Sequence, residues 1–310
     1  MKEFIVKNQT FVKSKNNTSK ILNRYTYALV IFSVLTILYN LIFNNIEYGI
    51  SVFKSILLSF MLTYIVDYFL NLVNKKYELK ILFTEDNIIP ISIIIGLFGI
   101  NTNILVISIS ILITLIMKRL SKNIGISSSL YGILIIILYK YFQNDLITPL
   151  TNLKELGYIN SYQSIVKSNG TLIEYLFGKN YLSPVLSIIM FIYLFYKKSI
   201  KYNLVISYIG TFSLLMLIIG LIFKMNIWYC FFHLTTGNIL FLSIFALTDY
   251  KITPEISYGQ VVYGIILGTI TVFLRFIIPE LSVVSALILG PLLLTNPIDN
   301  LCIKRISKKI

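Results

Sequence analysis

Ten apolar runs, separated by short polar segments, constrain this chain more than any other feature. They cover 25–43, 49–72, 88–100, 103–117 and 130–142 and then, after a polar stretch over 143–182, return at 183–196, 204–223, 228–247, 258–278 and 281–301. The first holds 19 residues, which at about 1.5 Å per residue reaches roughly 28 Å, close to the hydrocarbon thickness of a bilayer. With 56% hydrophobic and 13% charged residues in 310, the chain carries more apolar surface than one soluble core can hide. That balance excludes a disordered, fibrous or ordinary cytosolic protein. It predicts an all-α integral membrane protein of about ten transmembrane helices, with the lipid bilayer as its main solvent.

Charge sets the expected topology. The third to sixth runs hold only 13 to 15 residues, a length that also suits re-entrant or buried helices. With ten crossings and the amino end inside, 20 of the 27 Lys and Arg fall on inside segments and four, Lys154, Lys167, Lys179 and Lys224, fall outside. Lys54, Lys140 and Arg275 lie within runs. Basic residues collect in cytoplasmic loops, so the net charge of +14 follows from topology and needs no nucleic acid partner. The expected organisation is a basic cytoplasmic segment at 1–24, a five-helix membrane half at 25–142, and an extracytoplasmic loop at 143–182. A second five-helix half at 183–301 and a basic cytoplasmic tail at 302–310 follow, in the plasma membrane. Nothing in 1–24 pairs a short apolar core with a small-residue cleavage site, so no removable signal peptide is expected. An odd number of spans per half turns the second half upside down, as in inverted-repeat folds, and places a site near the midplane between halves. The halves share no convincing identity, so this repeat is inferred from topology.

Few residues carry evident chemistry. Cys230 and Cys302 stand 72 positions apart, which excludes a disulfide scaffold and a four-thiolate metal site. The chain has no glycine-rich phosphate loop, nucleophile elbow, paired metal ligands or Cys-x-x-Cys, so neither catalytic nor metal-ligating residues are assigned. Thr235-Thr236-Gly237-Asn238 interrupts the eighth run, and because unpaired hydroxyls and amides are costly in hydrocarbon, these side chains are expected to face a helix, a cavity or a ligand. Gly259, Gly264 and Gly268 read as close helix packing. Asp249 and Glu255 read as a solvated turn with a helix cap. Asp67 is expected to pair at the interface with Lys75 or Lys76, and Arg275 to snorkel outward. His233, the single histidine, is expected to pack or hydrogen-bond.

The carboxyl-terminal third adds a longer pattern: His233-Leu234-Thr235-Thr236-Gly237-Asn238, Phe245-Ala246-Leu247-Thr248-Asp249, Gly259-Gln260-Val261-Val262-Tyr263-Gly264, Gly268, Arg275, Pro279-Glu280 and Pro297-Ile298-Asp299. In order and spacing it resembles the RnfD/NqrB family, the membrane subunit shared by Rnf complexes and the sodium-pumping NADH:quinone reductase Nqr, both ion-translocating oxidoreductases. Residues 118–131 also look like that family's segment after the fourth span. The resemblance implies a ten-helix subunit carrying flavin mononucleotide (FMN), joined through its phosphate to a threonine in an outward loop. It further implies electron transfer coupled to Na+ or H+ movement, other membrane subunits as partners, and an extracytoplasmic flavoprotein subunit. The attachment segment aligns at Asp145-Leu146-Ile147-Thr148-Pro149-Leu150, making Thr148 the matching threonine. Leu146 and Ile147 stand where the family has small residues. Thr235, Thr236, Gly237, Asn238 and Asp249 are the remaining cofactor-binding candidates. The competing expectations are a cofactor-free channel or transporter for a small solute on the same inverted plan, and a membrane scaffold for a partner that bears the cofactor.

Overall fold

A computed structural model describes residues 18–44, 46–73, 88–120, 126–142, 182–224, 228–235, 238–249, 253–277 and 281–307. All regular structure among them is helical. The first half contains α1 (Thr18–Tyr39), a π-helical turn at Asn40–Asn44, α2 (Ile46–Val73), α3 (Ile88–Phe98) and α4 (Ile104–Leu120). A 3-10 turn at Ile126–Ser128 then leads into α5 (Ser129–Phe142). The second half contains α6 (Pro184–Tyr196), α7 (Tyr202–Ile222), α8 (Trp228–Thr235), α9 (Ile239–Phe245), α10 (Ser257–Ile277), α11 (Ser282–Leu293) and α12 (Thr295–Ser307).

Four segments, Lys20–Ile42, Ile46–Leu70, Tyr202–Ile222 and Ser257–Ile277, are long and apolar enough to cross a membrane, while α3, α5, α6 and α11 are apolar but shorter. The surface is that of a protein solvated by lipid. Tyr27, Ile42, Phe69, Leu105, Ile192, Phe273 and Leu292 are all exposed, whereas Ser59, Thr63, Ser92, Ser110 and Thr114 are buried. Each of these five hydroxyls bonds a backbone carbonyl, as hydrocarbon requires: among them Thr63 to Ser59 at 2.6 Å, Ser110 to Ile107 at 2.7 Å, and Ser59 across to Ser92 at 2.7 Å.

Two apolar runs are divided. The eighth becomes α8 and α9, separated at 236–238, with Asn238 in the left-handed conformation at φ 58° and ψ 26°. The tenth becomes α11 and α12. Pro291 lies within α11, where it removes a helical N–H and crowds the preceding turn, and the helix stops two residues later.

Helix pairing repeats between the halves. The packed pairs α1/α3, α2/α3, α2/α4, α3/α5 and α4/α5 have counterparts in α6/α9, α7/α8, α7/α10, α9/α11 and α10/α11. Between halves, α1 meets α6 and α5 meets α11. First helix therefore touches first helix and fifth touches fifth, the arrangement that a two-fold relation between repeats produces. The α7/α10 pair is held close by small residues. A Cβ added at Gly264 would stand 2.8 Å from the Leu204 carbonyl oxygen, and one at Gly268 would stand 2.9 Å from that of Tyr208. Larger side chains there would force the helices apart, so these glycines serve close packing.

Candidate functional site: an interrupted helix and its two ends

Half-helix α9 lies at the junction of the halves, and every residue from Ile239 to Phe245 except Leu240 is buried. Its aromatic face meets the first half: Phe241 lies 5.0 Å from the Phe32 ring and 6.2 Å from Phe98, and Phe245 lies 5.5 Å from Tyr25 in an edge-on contact. Edge-on and tilted contacts of this kind fix orientation as well as bury area. The two ends of α9 hold the polar groups that the sequence singled out.

At the end of α9 flanked by basic segments, the chain turns through Ala246 to Asp249. The Tyr25 hydroxyl sits 2.5 Å from the Ile244 carbonyl oxygen, 2.9 Å from that of Phe245 and 2.6 Å from the Thr248 hydroxyl. Asp249 accepts hydrogen bonds from the backbone N–H and the hydroxyl of Ser127, both at 3.1 Å. Its carboxylate thus caps the turn that opens α5, where helical N–H groups lack internal partners and the helix dipole favours negative charge. The expected solvated turn is therefore corrected at Asp249, while Glu255 is exposed as expected. Asp249 is only 8% exposed, because the first half covers it and supplies its donors. Nearby, the Lys201 ammonium donates to the Thr253 carbonyl at 2.9 Å, the Thr253 hydroxyl at 2.8 Å and the Pro254 carbonyl at 3.3 Å. Thr253 in turn donates to the Asp249 carbonyl at 2.7 Å. Burial lowers the pKa of Lys201, opposed by the negative charges of Glu255, Asp249 and Asp299.

At the other end, α8 stops at Thr235. The Thr235 hydroxyl is buried and donates to the Phe232 carbonyl in its own helix at 3.1 Å. Arg275 of α10, expected to snorkel, is instead 3% exposed and donates from Nη2 to the His233 carbonyl at 3.1 Å. Its guanidinium also lies 5.8 Å from the centre of the Phe212 ring. The interruption explains this placement. Where a helix stops, its last carbonyls lack intrahelical partners, and a cation is favoured at that end. His233 is 2% exposed, and neither ring nitrogen has a hydrogen-bond partner among the described residues. Its ring packs edge-on against Tyr229 at 4.4 Å and Phe232 at 5.4 Å. Packing, one of the two expected roles, is thus observed.

Two further cations meet helix C-termini in the same way: Lys140 donates to the Phe98 carbonyl at 2.9 Å and Arg24 to the Lys197 carbonyl at 2.8 Å. Asp67 pairs with Arg119, at 2.8 Å and 52 positions away. Its expected partners, Lys75 and Lys76, lie outside the described residues, as do Thr148, Thr236 and Gly237. Thr235 and Asn238 flank the interruption, while Asp249 lies beyond the far end of α9. The candidates therefore mark two separate places. Ser127, Tyr25 and Lys201 join them from the structure alone. The available signal was the run Ser127-Ser128-Ser129 immediately before an apolar helix, a frequent capping pattern.

A search of curated proteins returned no match to this sequence. A family model described as the NQR2, RnfD, RnfE family matches residues 5–308. The match spans both halves and includes α8, α9, the Asp249 turn and α10. This chain belongs to the NQR2, RnfD, RnfE family and is a membrane subunit of the Rnf/Nqr type.

Proposed function

We propose that this chain carries a flavin on Thr148 and passes electrons through an Rnf/Nqr-like complex while Na+ or H+ crosses the membrane. The observation that carries this reading is the family match over residues 5–308. A bound flavin would supply one- and two-electron chemistry, and the protein its position and electrostatic surroundings. Partners on this reading are the other membrane subunits and an extracytoplasmic flavoprotein subunit.

The reading also has ten spans, both ends in the cytoplasm, and the 143–182 loop on the far side of the plasma membrane. Contacts between distant segments support it, because they join segments that the charge alternation assigns to one side. On the side with the basic segments these are Arg24 with Lys197, Asp67 with Arg119, Ser127 with Asp249 and Lys201 with Thr253. On the opposite side, Lys140 meets Phe98 and Arg275 meets His233.

The test is covalent flavin fluorescence on a denaturing gel, with a flavin transferase co-expressed. The native chain is expected to fluoresce and Thr148→Ala to be dark at equal loading. A dark native chain, or a Thr148→Ala band of undiminished brightness, removes Thr148 as the attachment point.

A further inference from the structure

Three basic residues lie inside apolar runs, and two of them find a partner within the fold. Lys140 donates to the Phe98 carbonyl and Arg275 to the His233 carbonyl. Lys54 is exposed and has no polar partner among the described residues. Its position on α2 explains the difference. The buried side of that helix carries Ser59, bonded to the Ser92 carbonyl of α3, and Asp67, paired with Arg119 of α4. With 3.6 residues per turn, the opposite side carries Glu47, Ile50, Lys54, Leu57, Met61 and Ile65, all exposed. The ammonium group therefore points away from the bundle.

Depth decides what surrounds it. Lys54 precedes Asp67, the residue that pairs with Arg119 near the basic segments, by 13 residues, or roughly 20 Å of helix. A hydrocarbon core about 30 Å thick then leaves about 10 Å between the Lys54 backbone and the opposite surface. A lysine stem turned toward the headgroups shortens that distance without closing it. Charged side chains at such depth are costly in lipid and are found paired or facing water. A carboxylate is the matching group, because a charge-assisted hydrogen bond is strong where water is scarce. Only a helix or a closed barrel carries such a group across lipid with its own backbone satisfied. The neighbours on this side, Ile50, Leu57 and Met61, offer an apolar bed for a helix, with methionine able to adapt to its shape.

We propose that this side of α2 docks a transmembrane helix of another membrane subunit, whose Asp or Glu pairs with Lys54 in the outer half of the bilayer. A second copy of this chain fits poorly. A two-fold axis along the membrane normal would set α2 parallel to its copy and bring Lys54 against Lys54. The proposal rests on the topology and the multi-subunit assembly of the reading above, but not on a flavin at Thr148.

The experiment uses the full-length chain, labelled at its amino terminus and reconstituted in liposomes of zwitterionic lipid. The probe is a synthetic Leu-Ala transmembrane helix with one glutamate about 10 Å from one end, beside a twin that has leucine there. Energy transfer between peptide and chain reads association. The glutamate peptide is expected to bind at least about fivefold more tightly than its twin, and Lys54→Leu to abolish that preference. Lys54→Glu is expected to restore it for a peptide bearing lysine in place of glutamate. Because leucine suits a lipid-facing position, Lys54→Leu is also expected to melt at or above the native temperature. Equal binding of the two peptides, a preference that survives Lys54→Leu, or a lower melting temperature for Lys54→Leu overturns the proposal. So does stabilisation of the native chain, but not of Lys54→Leu, by added phosphatidylglycerol without peptide preference, which would assign Lys54 to a lipid headgroup. No flavin enters these measurements, so their failure and a dark band on the denaturing gel are separate results.

Discussion

Asp249→Ala is expected to destabilise the folded protein by about 2–4 kcal/mol, since two hydrogen bonds to a charged acceptor are lost and a helix-initiating N–H is left exposed to an apolar surrounding. For a chain of this size that corresponds to a fall of roughly 5–10 °C in Tm. The effect is large because the carboxylate is buried and its two bonds with Ser127 reach the other half of the molecule. Asp249→Asn keeps an acceptor oxygen but loses the charge, and is expected to recover about half of the deficit. A double-mutant cycle with Ser127→Ala separates the hydroxyl bond from the backbone bond. The coupling is expected at about 1 kcal/mol, the usual scale for residues in direct contact. Thermal unfolding in detergent of the native protein, the three single variants and the double variant measures all of these values.

Arg119→Ala carries the second large effect. The Asp67 side chain is 3% exposed and that of Arg119 26%, with 2.8 Å between them. Removing one member of a buried pair destabilises strongly, because the remaining charge stays desolvated. The unequal exposure makes the outcome asymmetric. Arg119→Ala takes the guanidinium from a deeply buried carboxylate and is expected to cost about 3 kcal/mol. Asp67→Ala leaves a long side chain able to turn its head toward water, and is expected to cost less than half as much. The double replacement Asp67→Leu with Arg119→Leu removes both charges and is expected to lie closer to the native protein than Arg119→Ala does, as buried pairs replaced by apolar residues often do. Detergent melting curves for the three variants test this order.

These contacts show what could be read from the sequence and what could not. Apolar runs marked the positions of the long helices because lipid imposes length and composition directly, without any need for tertiary partners. Polarity inside the eighth run marked a real interruption: α8 ends at Thr235 and α9 begins at Ile239. The partners of charged residues were not legible. Arg275 near an apparent helix end suits snorkelling equally well, and only the termination of α8 beside it supplies the carbonyl that draws it inward. Arg119 on α4 meets Asp67 because α2 and α4 pack together, a pairing that sequence proximity does not show. Asp249 looked solvated because Ser127, which supplies its donors, belongs to the other half. Hydropathy describes each helix singly, whereas these bonds depend on which helices are neighbours. The matching helix pairs of the two halves were similarly hidden, since residue identity does not carry them.

The central claim is the alternation that puts residues 143–182 across the membrane from the basic segments. A single cysteine at Tyr158, in a chain carrying Cys230→Ala and Cys302→Ala, measures it with a membrane-impermeant maleimide on intact cells. Tyr158→Cys is expected to label without permeabilisation, while Lys251→Cys in the same background labels only after it. Labelling of Tyr158→Cys that requires permeabilisation would contradict the topology and, with it, the placement of a flavin on that face.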